Sequence, residues 1–424
     1  MQTVLALQVD KFGNAPMNHK MCAPLLGDGI MTVDGHAWKR SRHMLNPVFA
    51  RAQVSELSSF EVHVGTMINR IPRDGSMVDM QPLCKMLFLD NSTEFIFGKS
   101  ANSLSPELTG TVARRLVHLF DEALVGMFKR YMLGRFKFLA GEKKWLAKCA
   151  EVQGIIDDLI DEEFKAQKAV AENKTAATDT PYNYVLLKEL VKTTDDRRFI
   201  RNELMNVFFP ARDTAGILTS NIIFMLARYP DVWSKLRAEV LGIGDQKLTF
   251  ELLKSLKYTH AVINESKPPL APQINFPTNP SPPALRLQTP VGGSWKTCLE
   301  PCILPHGGGP SGQDPILLEP GDEVRMSFTP LHTDPGIWGA DALDFKPERW
   351  ARLKQSWNFI PFMGGRRICP AQQNALTDVC YVLVRLAREF RAIENRDETL
   401  EYVDKIVFTR ESKNGVKVAF VAEE

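Results

Sequence analysis

Residues 362–369 combine two adjacent glycines, two arginines and a cysteine at spacings that suit a loop presenting one thiolate. The glycines permit positive φ and a tight turn, which keeps backbone N–H groups close to the sulfur of Cys369. Pro370 suits the first position of the following helix, whose dipole favours the thiolate form. Phe362 can cover the sulfur, and Arg367 supplies a cation beside it. The alternative is a buried, inert cysteine after a glycine turn.

Trp38 and Arg42 form a second candidate pair, because residues four apart share one face of a helix. Together they offer an indole N–H and a bidentate cation, which suit a carboxylate ligand. The alternative is ordinary packing of the tryptophan beside a solvated arginine. The pair therefore predicts a site for an acidic group, and the cysteine loop is its natural neighbour.

Asp213 and Thr214 lie midway along a strongly apolar helical stretch. A threonine hydroxyl can bond the carbonyl four residues earlier or release it, and a neighbouring carboxylate can transfer protons. Pro210 has no N–H for the carbonyl of Asn206 and should kink the helix beside this pair. We predict proton transfer here; the alternative is a core helix with a satisfied Asp–Thr pair.

The elements that must position these residues are mostly helical, and the predicted fold class is mainly α with a minor β portion. Apolar residues at three- and four-residue steps predict one long helix from Leu204 to Ile222. Other helices are predicted at residues 145–169, 232–240 and 372–390, with a polar surface loop at 172–180. Strands are predicted at residues 316–318, 323–328, 406–409 and 416–421. The apolar region 119–139 is expected to line either a channel or the core.

Composition narrows the function classes. With 424 residues, 44% of them hydrophobic, the chain can bury a large core, and a net charge of +2 does not indicate a nucleic-acid partner. Seven scattered cysteines argue against a disulfide framework and fit a reducing compartment. Cys298 and Cys302 lie four apart without a second ligand pair, which argues against zinc. No apolar run reaches the ~18 residues that a membrane-spanning helix needs.

Together these motifs resemble those of the cytochrome P450 family, the haem-thiolate monooxygenases. The loop matches the family pattern Phe-x-x-Gly-x-Arg-x-Cys-x-Gly except that Ala371 replaces the last glycine, and the two other motifs are similar to its Trp-x-x-x-Arg and acid–alcohol motifs. Residues 25–35 and 307–312 look most like fungal n-alkane and fatty-acid hydroxylases. The resemblance covers nearly the whole chain and implies the P450 fold, with residues 1–424 as a single haem-thiolate domain.

The resemblance also implies a role for each candidate residue. Cys369 would be the axial ligand of the iron of haem b, with Phe362 covering the sulfur. Asp213 and Thr214 would deliver protons to bound dioxygen, although Ala215 stands where a second hydroxyl is usual. The residues that would hold the haem propionates are Trp38, Arg42, Arg367 and Lys296, of which Lys296 is equally well explained as a solvated lysine.

The implied reaction is NADPH-dependent insertion of one oxygen atom from O2 into a C–H bond of an apolar substrate, such as an alkane or a fatty acid. Electrons would come from a membrane-bound flavoprotein reductase that docks on the cysteine side. Family members begin with a membrane anchor and first β elements before the point where this chain starts. We therefore expect a full-length product on the cytoplasmic face of the endoplasmic reticulum membrane. Asp213 and Thr214 argue against a haem-thiolate isomerase or peroxygenase.

A fourth motif concerns the support of the cysteine loop. Residues 344–350 resemble the segment whose arginine, Arg349 here, joins a Glu-x-x-Arg pair in a buried ion triad. Glu265 has no arginine three residues on, and Arg286 follows only after residues 266–283, which hold seven prolines and cannot be helical. We predict that this segment is an insert encoded by a retained intron, whose in-frame removal would restore the Glu-x-x-Arg spacing.

The insert motivates a competing class of function. A separated Glu265–Arg286 pair would leave a buried charge unpaired, at a cost of several kcal/mol, comparable to the stability of a whole domain. The chain would then be a non-catalytic pseudoenzyme or a mis-spliced fragment that is unable to hold haem. The geometry of this one pair therefore bears directly on whether the chain is active.

Overall fold

The computed structural model describes residues 1–53, 57–105, 111–133, 136, 138–139, 141–172, 185–265, 286, 289–353, 356–406 and 408–423. Helices predominate within these residues and strands form small sheets, which confirms the predicted fold class. The helices are α1 (Ala15–Leu26), α2 (Gly35–Gln53), α3 (Ser58–Asn69), α4 (Met80–Phe97), α5 (Val112–Leu133), α6 (Glu142–Ala171), α7 (Leu186–Thr193), α8 (Arg197–Ala211), α9 (Thr214–Leu226), α10 (Pro230–Gly242), α11 (Phe250–Ser255), α12 (Lys257–Glu265), α13 (Phe328–Thr333), α14 (Pro335–Trp338) and α15 (Gln372–Glu389).

The strands form two three-stranded sheets and two hairpins among the described residues. They are β1 (Phe12–Gly13), β2 (Val78–Asp79), β3 (Gly293–Cys298), β4 (Cys302–Gly308), β5 (Asp314–Leu318), β6 (Glu323–Ser327), β7 (Phe390–Asn395), β8 (Asp404–Ile406), β9 (Arg410–Ser412) and β10 (Lys417–Ala422). The sheets have the orders β1-β3-β6 and β2-β10-β7, and β4-β5 and β8-β9 are the hairpins. All of these pairings are antiparallel.

Most of the predicted elements are present. Helices α6, α10 and α15 and strands β5, β6 and β10 confirm their predictions to within a few residues. The strand predicted at 406–409 is wrong, because β8 ends at Ile406, which pairs with Arg410 across the hairpin. Residues 173–180 and 266–283 lie outside the described residues, so the loop and insert predictions stay predictions. No helix in the described ranges is long and apolar enough to cross a membrane.

The long helix predicted from Leu204 to Ile222 is two helices, and this prediction is wrong in its central part. Asp213, with φ −121°, leaves the helical region and becomes the N-cap of α9. Pro210 cannot donate to the helix ladder, and the hydroxyl of Thr214 donates to its carbonyl at 3.0 Å. Pro210 itself lies inside α8, which continues to Ala211, and the break follows it at the predicted proton-transfer pair.

Helix α9 forms the centre of the larger hydrophobic core. All of its residues from 215 to 226 are buried, and it packs on α4 and α15. A Cβ added at Gly216 would lie 2.9 Å from the backbone carbonyl oxygen of Cys84. Glycine thus allows the backbones of α4 and α9 to approach closely, which fixes the position of the helix break against α4.

Glu265, at the end of α12, is the centre of a buried ion cluster. Its carboxylate accepts bidentate hydrogen bonds from Arg286 at 2.8 and 3.0 Å, and both side chains are 0% exposed. Arg349 donates to Glu265 at 2.7 Å and the indole N–H of Trp350 at 2.9 Å. The expectation that this pair is pulled apart is therefore wrong, because the segment between Glu265 and Arg286 leaves their side chains in contact.

The ion cluster is connected to the cysteine loop through His332. Arg286 donates to the backbone carbonyl of His332 at 2.9 Å. The ring Nε2 of His332 accepts from the backbone N–H of Ile360 at 3.1 Å, just before the loop begins. The buried charges thus hold the base of the loop through two hydrogen bonds, which explains how a distant carboxylate supports the thiol.

Replacing Glu265 with glutamine is expected to lower the free energy of unfolding by about 3–5 kcal/mol, since a buried cation loses its counter-ion. The control is Glu348→Gln, because Glu348 pairs with Lys235 at 2.6 Å but its side chain is 44% exposed. That exposed pair should contribute less than about 1 kcal/mol. Urea denaturation of both variants measures the difference, and equal losses would contradict a structural role for the cluster.

Candidate active site

Cys369 lies in the wall of a cavity of about 2690 Å³ between α2, α5, the α8–α9 break, α15 and strands β3 and β6. Its backbone N–H donates to the carbonyl of Phe362 at 3.0 Å, which closes the loop. Gly365 has φ +67°, and a Cβ there would lie 1.9 Å from the carbonyl oxygen of Leu5. Only glycine fits at this position. The loop is therefore closed by its own backbone and packed against the N-terminal segment.

The protonation of Cys369 differs from the sequence expectation. Burial raises the pKa of the thiol above its ordinary value and outweighs the Ala371 N–H and the charge of Arg42, which lower it. The helix dipole by itself therefore does not leave a thiolate in this cavity. A coordinated cation reverses the balance, because a ligated thiol is deprotonated. The site fits a thiolate that forms together with metal binding.

Trp38 and Arg42 lie one turn apart on α2 and both line the cavity. Arg42 donates through Nη1 to the carbonyl of Ile368 at 2.8 Å, so this helix is bound to the cysteine loop. The guanidinium of Arg367 lies over the ring of Trp38, 4.5 Å from its centroid. The three side chains that were predicted from separate motifs thus form one cluster beside Cys369.

Asp34 is a residue of this cluster that the sequence did not reveal. It forms an ion pair with Arg367, which also donates to the carbonyl of Val33 at 3.2 and 3.3 Å. The same carboxylate accepts from the backbone N–H groups of Asn14 and Ala15 at 3.0 and 2.8 Å. Asp34 therefore fixes Arg367 and also offsets part of its charge. Of the two arginines, Arg42 and Arg367, Arg42 therefore keeps more of its positive charge uncompensated.

Lys296 is buried rather than solvated. Its side chain is 2% exposed and its ammonium group bonds to the side chain of Asn14. Burial and the nearby Arg367 lower the pKa of Lys296 to about 8, although Asp34 opposes this shift. Trp295, the preceding residue on β3, lines the cavity. Lys296 therefore lies behind the cavity wall, where its charge and that of Arg367 repel each other, and not at the predicted propionate site.

The other side of the cavity holds Asp213 and Thr214 at the helix break. The carboxylate of Asp213 lies 3.3 Å from Nε of Arg212 and 3.8 Å from Nζ of Lys85. Lys85 also pairs with Glu411 at 2.8 Å. Lys85 and Glu411 are distant along the chain and carry no motif, so no sequence signal could have identified them. An acid held between two cations is the kind of group that can exchange protons with a ligand in the cavity.

Aromatic rings form the apolar wall above this acid. Phe408, at the tip of the β8–β9 hairpin, packs edge-on against Phe128 at 5.5 Å and Phe209 at 5.6 Å between ring centroids. All three rings line the cavity. The apolar region 119–139, which was expected to line either a channel or the core, does both. Leu124 and Phe128 line the cavity, and other residues of α5 lie in the core. The wall fits an apolar ligand.

A flat, iron-containing and dianionic group such as haem fits these residues. Cys369 supplies the thiolate, and the Trp38–Arg42–Arg367 cluster supplies donors and positive charge for carboxylates beside it. The described residues contain no group of three or more His, Cys, Asp or Glu side chains that could hold a bare metal ion. The donor set is therefore that of a prosthetic group with its own iron rather than of a protein metal cage.

Comparisons with known proteins agree with this site. The family profile for cytochrome P450 matches residues 1–267 and 284–418. Cytochrome P450 monooxygenase apdE of Emericella nidulans is 33% identical over all of this chain and 77% of its own length. Cytochrome P450 52A3-A of Candida maltosa is 34% identical over 99% of this chain and 79% of its own. Among solved structures, the cytochrome P450DA heme domain has a TM-score of 0.76 at 18% identity, covering 98% of this chain and 84% of that one.

The family carries haem b and takes its electrons from NAD(P)H through a reductase. The architecture described above is that of solved P450 haem domains. The motif positions, the cavity and the matched ranges all lead to the same assignment. This chain belongs to the cytochrome P450 family and is a haem-containing monooxygenase of the oxidoreductase class.

Proposed function

We propose that the chain inserts one oxygen atom from O2 into a C–H bond of an apolar substrate, an n-alkane or a fatty acid. The observation that carries the proposal is the cavity, which places Cys369 on one side and the Phe128–Phe209–Phe408 rings on another. Apolar walls with few polar groups select apolar ligands. The resemblance of residues 25–35 and 307–312 to fungal n-alkane and fatty-acid hydroxylases supports the same substrate class.

Each side chain has a role in this proposal. Bound haem would supply the oxygen chemistry, with Cys369 donating electron density to its iron. Arg42, Trp38 and Arg367 would hold the propionates, whereas Lys296 lies behind the cavity wall and bonds to Asn14. Phe362 lines the cavity beside the loop and also packs on the core.

Proton delivery is assigned to the helix break. The hydroxyl of Thr214 rests on the carbonyl of Pro210 at 3.0 Å, so it has an alternative acceptor when no ligand is present. The carboxylate of Asp213, paired with Lys85 and Arg212, holds a proton route between the cavity and the charged residues beyond it. Arrangements of this kind contribute to catalysis by general acid–base transfer.

The proposed electron donor is an NADPH-dependent flavoprotein reductase that docks on the cysteine side. Arg366, next to Arg367 in the loop, is 54% exposed and pairs only with the exposed Asp10 among the described residues. Lys39 and Arg40 on α2 are exposed as well. The exposed charge of Arg366 suits an acidic partner, and such charges mainly set the association rate. We also propose a location on the endoplasmic reticulum membrane, because such a reductase is bound there.

A chain unable to hold haem is the competing proposal. It depended on an unpaired charge at Glu265 or Arg286, and the structure has these groups in a bidentate pair. The physical reason for inactivity is therefore removed, and the monooxygenase proposal is favoured.

The retained-intron proposal for residues 266–283 is supported by the gap between the two matched ranges, 268–283. Reverse transcription of mRNA across this junction should yield a shorter, in-frame product that lacks the segment. A transcript population without that product would refute the intron and make the segment a genuine part of the protein.

The substrate proposal predicts turnover of an n-alkane or a fatty acid of equal chain length in the presence of NADPH and a flavoprotein reductase. With isotopically labelled dioxygen, mass spectrometry should find one labelled oxygen atom in each hydroxylated product. Haem-loaded protein that oxidises neither compound would rule out this substrate class. Product containing unlabelled oxygen would rule out monooxygenation.

The variant Asp213→Asn should lower kcat by about 10²-fold, since it removes the proton-transferring carboxylate but keeps its size. Glu122→Gln is the matched control, because Glu122 is a surface carboxylate on α5 that pairs with Lys148. Steady-state kinetics on the same substrate measure both variants. An Asp213→Asn enzyme as fast as the control would show that the acid has no catalytic role.

A further inference from the structure

Glu203 on α8 is a fully buried carboxyl group outside the set of residues already assigned, and it is 0% exposed. Its hydrogen-bond partners are neutral: the hydroxyl of Ser41 on α2 and the backbone N–H of Ile30 at 3.3 Å. Burying a carboxyl group without a cation in contact is costly, so such groups are retained where they hold something in place.

The neighbouring turn of α8 fastens the same loop. Asn206 donates to the carbonyl of Leu26 at 3.0 Å and accepts from the backbone N–H of Met31 at 3.0 Å. A Cβ at Gly29 would lie 2.4 Å from the side chain of Asn206, so the loop backbone is in close contact with the helix. Glu203 and Asn206 together fix the segment that runs from α1 to α2.

The elements fixed in this way carry the cation cluster. Ser41 directly precedes Arg42, whose guanidinium binds the cysteine loop at Ile368. The segment after Met31 leads to Asp34, the counter-ion of Arg367. The bonds of Glu203 therefore reach both cavity-lining arginines without a direct contact to either.

The proton on Glu203 decides how these bonds are made. Ser41 has one hydroxyl proton but two acceptors, Glu203 and the carbonyl of Ala37 at 3.2 Å. The hydroxyl of Ser41 and the backbone N–H of Ile30 both donate to the carboxyl group, and such bonds are stronger to the ionised form. An ionised Glu203 nevertheless brings a desolvated charge into the interface, and the cost of burying that charge outweighs the two bonds.

Burial raises the pKa of Glu203 to about 7, and the bonds from Ser41 and Ile30 and the charge of Arg40 oppose the shift. Arg40 lies over the ring of Phe199 at 4.0 Å and 3.9 Å from Asp196, which offsets its charge. The side chains next to Glu203 on α8 are the neutral Asn202 and Asn206, and the loop contributes Asp28, which pairs with Arg198. The protonated form is thus favoured in the fold.

We propose that Glu203 is a positioning residue for the haem cradle, whose protonated carboxyl group clamps α2 and the 27–33 loop onto α8. This inference rests on the proposed function. Ionisation weakens the clamp and loosens Arg42 and the Asp34–Arg367 pair. Cation placement around the haem propionates therefore depends on pH through a group that does not touch the haem.

The stability of the folded chain should fall as pH rises, because the folded chain keeps a proton that the unfolded chain has released. The ordinary pKa of 4.5 applies to the unfolded chain and the raised value of about 7 to the folded one. The folded chain therefore binds the extra proton between these values, and its stability falls as pH rises through this window. One such group changes the folding equilibrium constant by at most about tenfold per pH unit.

The experiment compares the full chain with Glu203→Gln, Ser41→Ala and the control Glu151→Gln, an exposed carboxylate on α6 paired with Arg115. Unfolding by urea is measured without added haem from pH 4.5 to 8. The rate of haem loss to an excess of apomyoglobin is measured over the same range. Wild type and Glu151→Gln should lose stability and shed haem faster as pH rises. Glu203→Gln should show a weaker dependence in both measurements, and the remainder is expected from Asp378, whose pKa burial also raises to about 7.

Ser41→Ala removes a bond that lowers the pKa of Glu203, so its midpoint should shift to higher pH, which a purely structural role would not produce. Glu203→Gln with the slope of wild type, or Ser41→Ala without a shift, would overturn the clamp. If Glu203→Gln does not fold, the Ser41→Ala midpoint decides by itself. Wild type that binds no haem would refute the proposed function, whereas the unfolding profiles would still decide whether Glu203 acts as a clamp.

Discussion

The buried carboxylate of Glu265 is the interaction on which the thiol site depends. It neutralises Arg286 and Arg349, and Arg286 holds the carbonyl of His332, whose ring receives the backbone N–H just ahead of the cysteine loop. Buried ion pairs add little net stability compared with apolar packing, but breaking one is costly. The cluster is therefore best understood as a device that fixes the position of the loop.

A second constraint acts on Cys369 itself. Burial of the thiol in the cavity wall raises its pKa. Its thiolate form is then favoured only together with a cation, so cofactor binding and deprotonation are coupled. Burial likewise lowers the pKa of Lys296 and raises that of Glu203, although neither side chain lines the cavity.

The sequence predicted the parts of the site that a local pattern encodes. The cysteine loop, the Trp38–Arg42 pair and the Asp213–Thr214 pair all line the cavity, because each depends on short spacings along one element. Asp34, Lys85 and Glu203 were missed, since each becomes informative only when the fold brings it to a distant partner. The break between α8 and α9 was also missed, because one continuous helix was predicted there. Pro210 was expected to kink the helix, but the hydroxyl of Thr214 takes the proline's carbonyl and the helix ends there.

The central claim is that Cys369 ligates haem in a loop held by a closed Glu265–Arg286 pair. The reduced carbon monoxide difference spectrum of the haem-loaded full chain tests it most directly. The chain as it stands should give a thiolate-type Soret band, and Cys369→Ser should lose that band. A chain that takes up haem without a thiolate-type band, or a band that survives in Cys369→Ser, would contradict ligation of haem by Cys369.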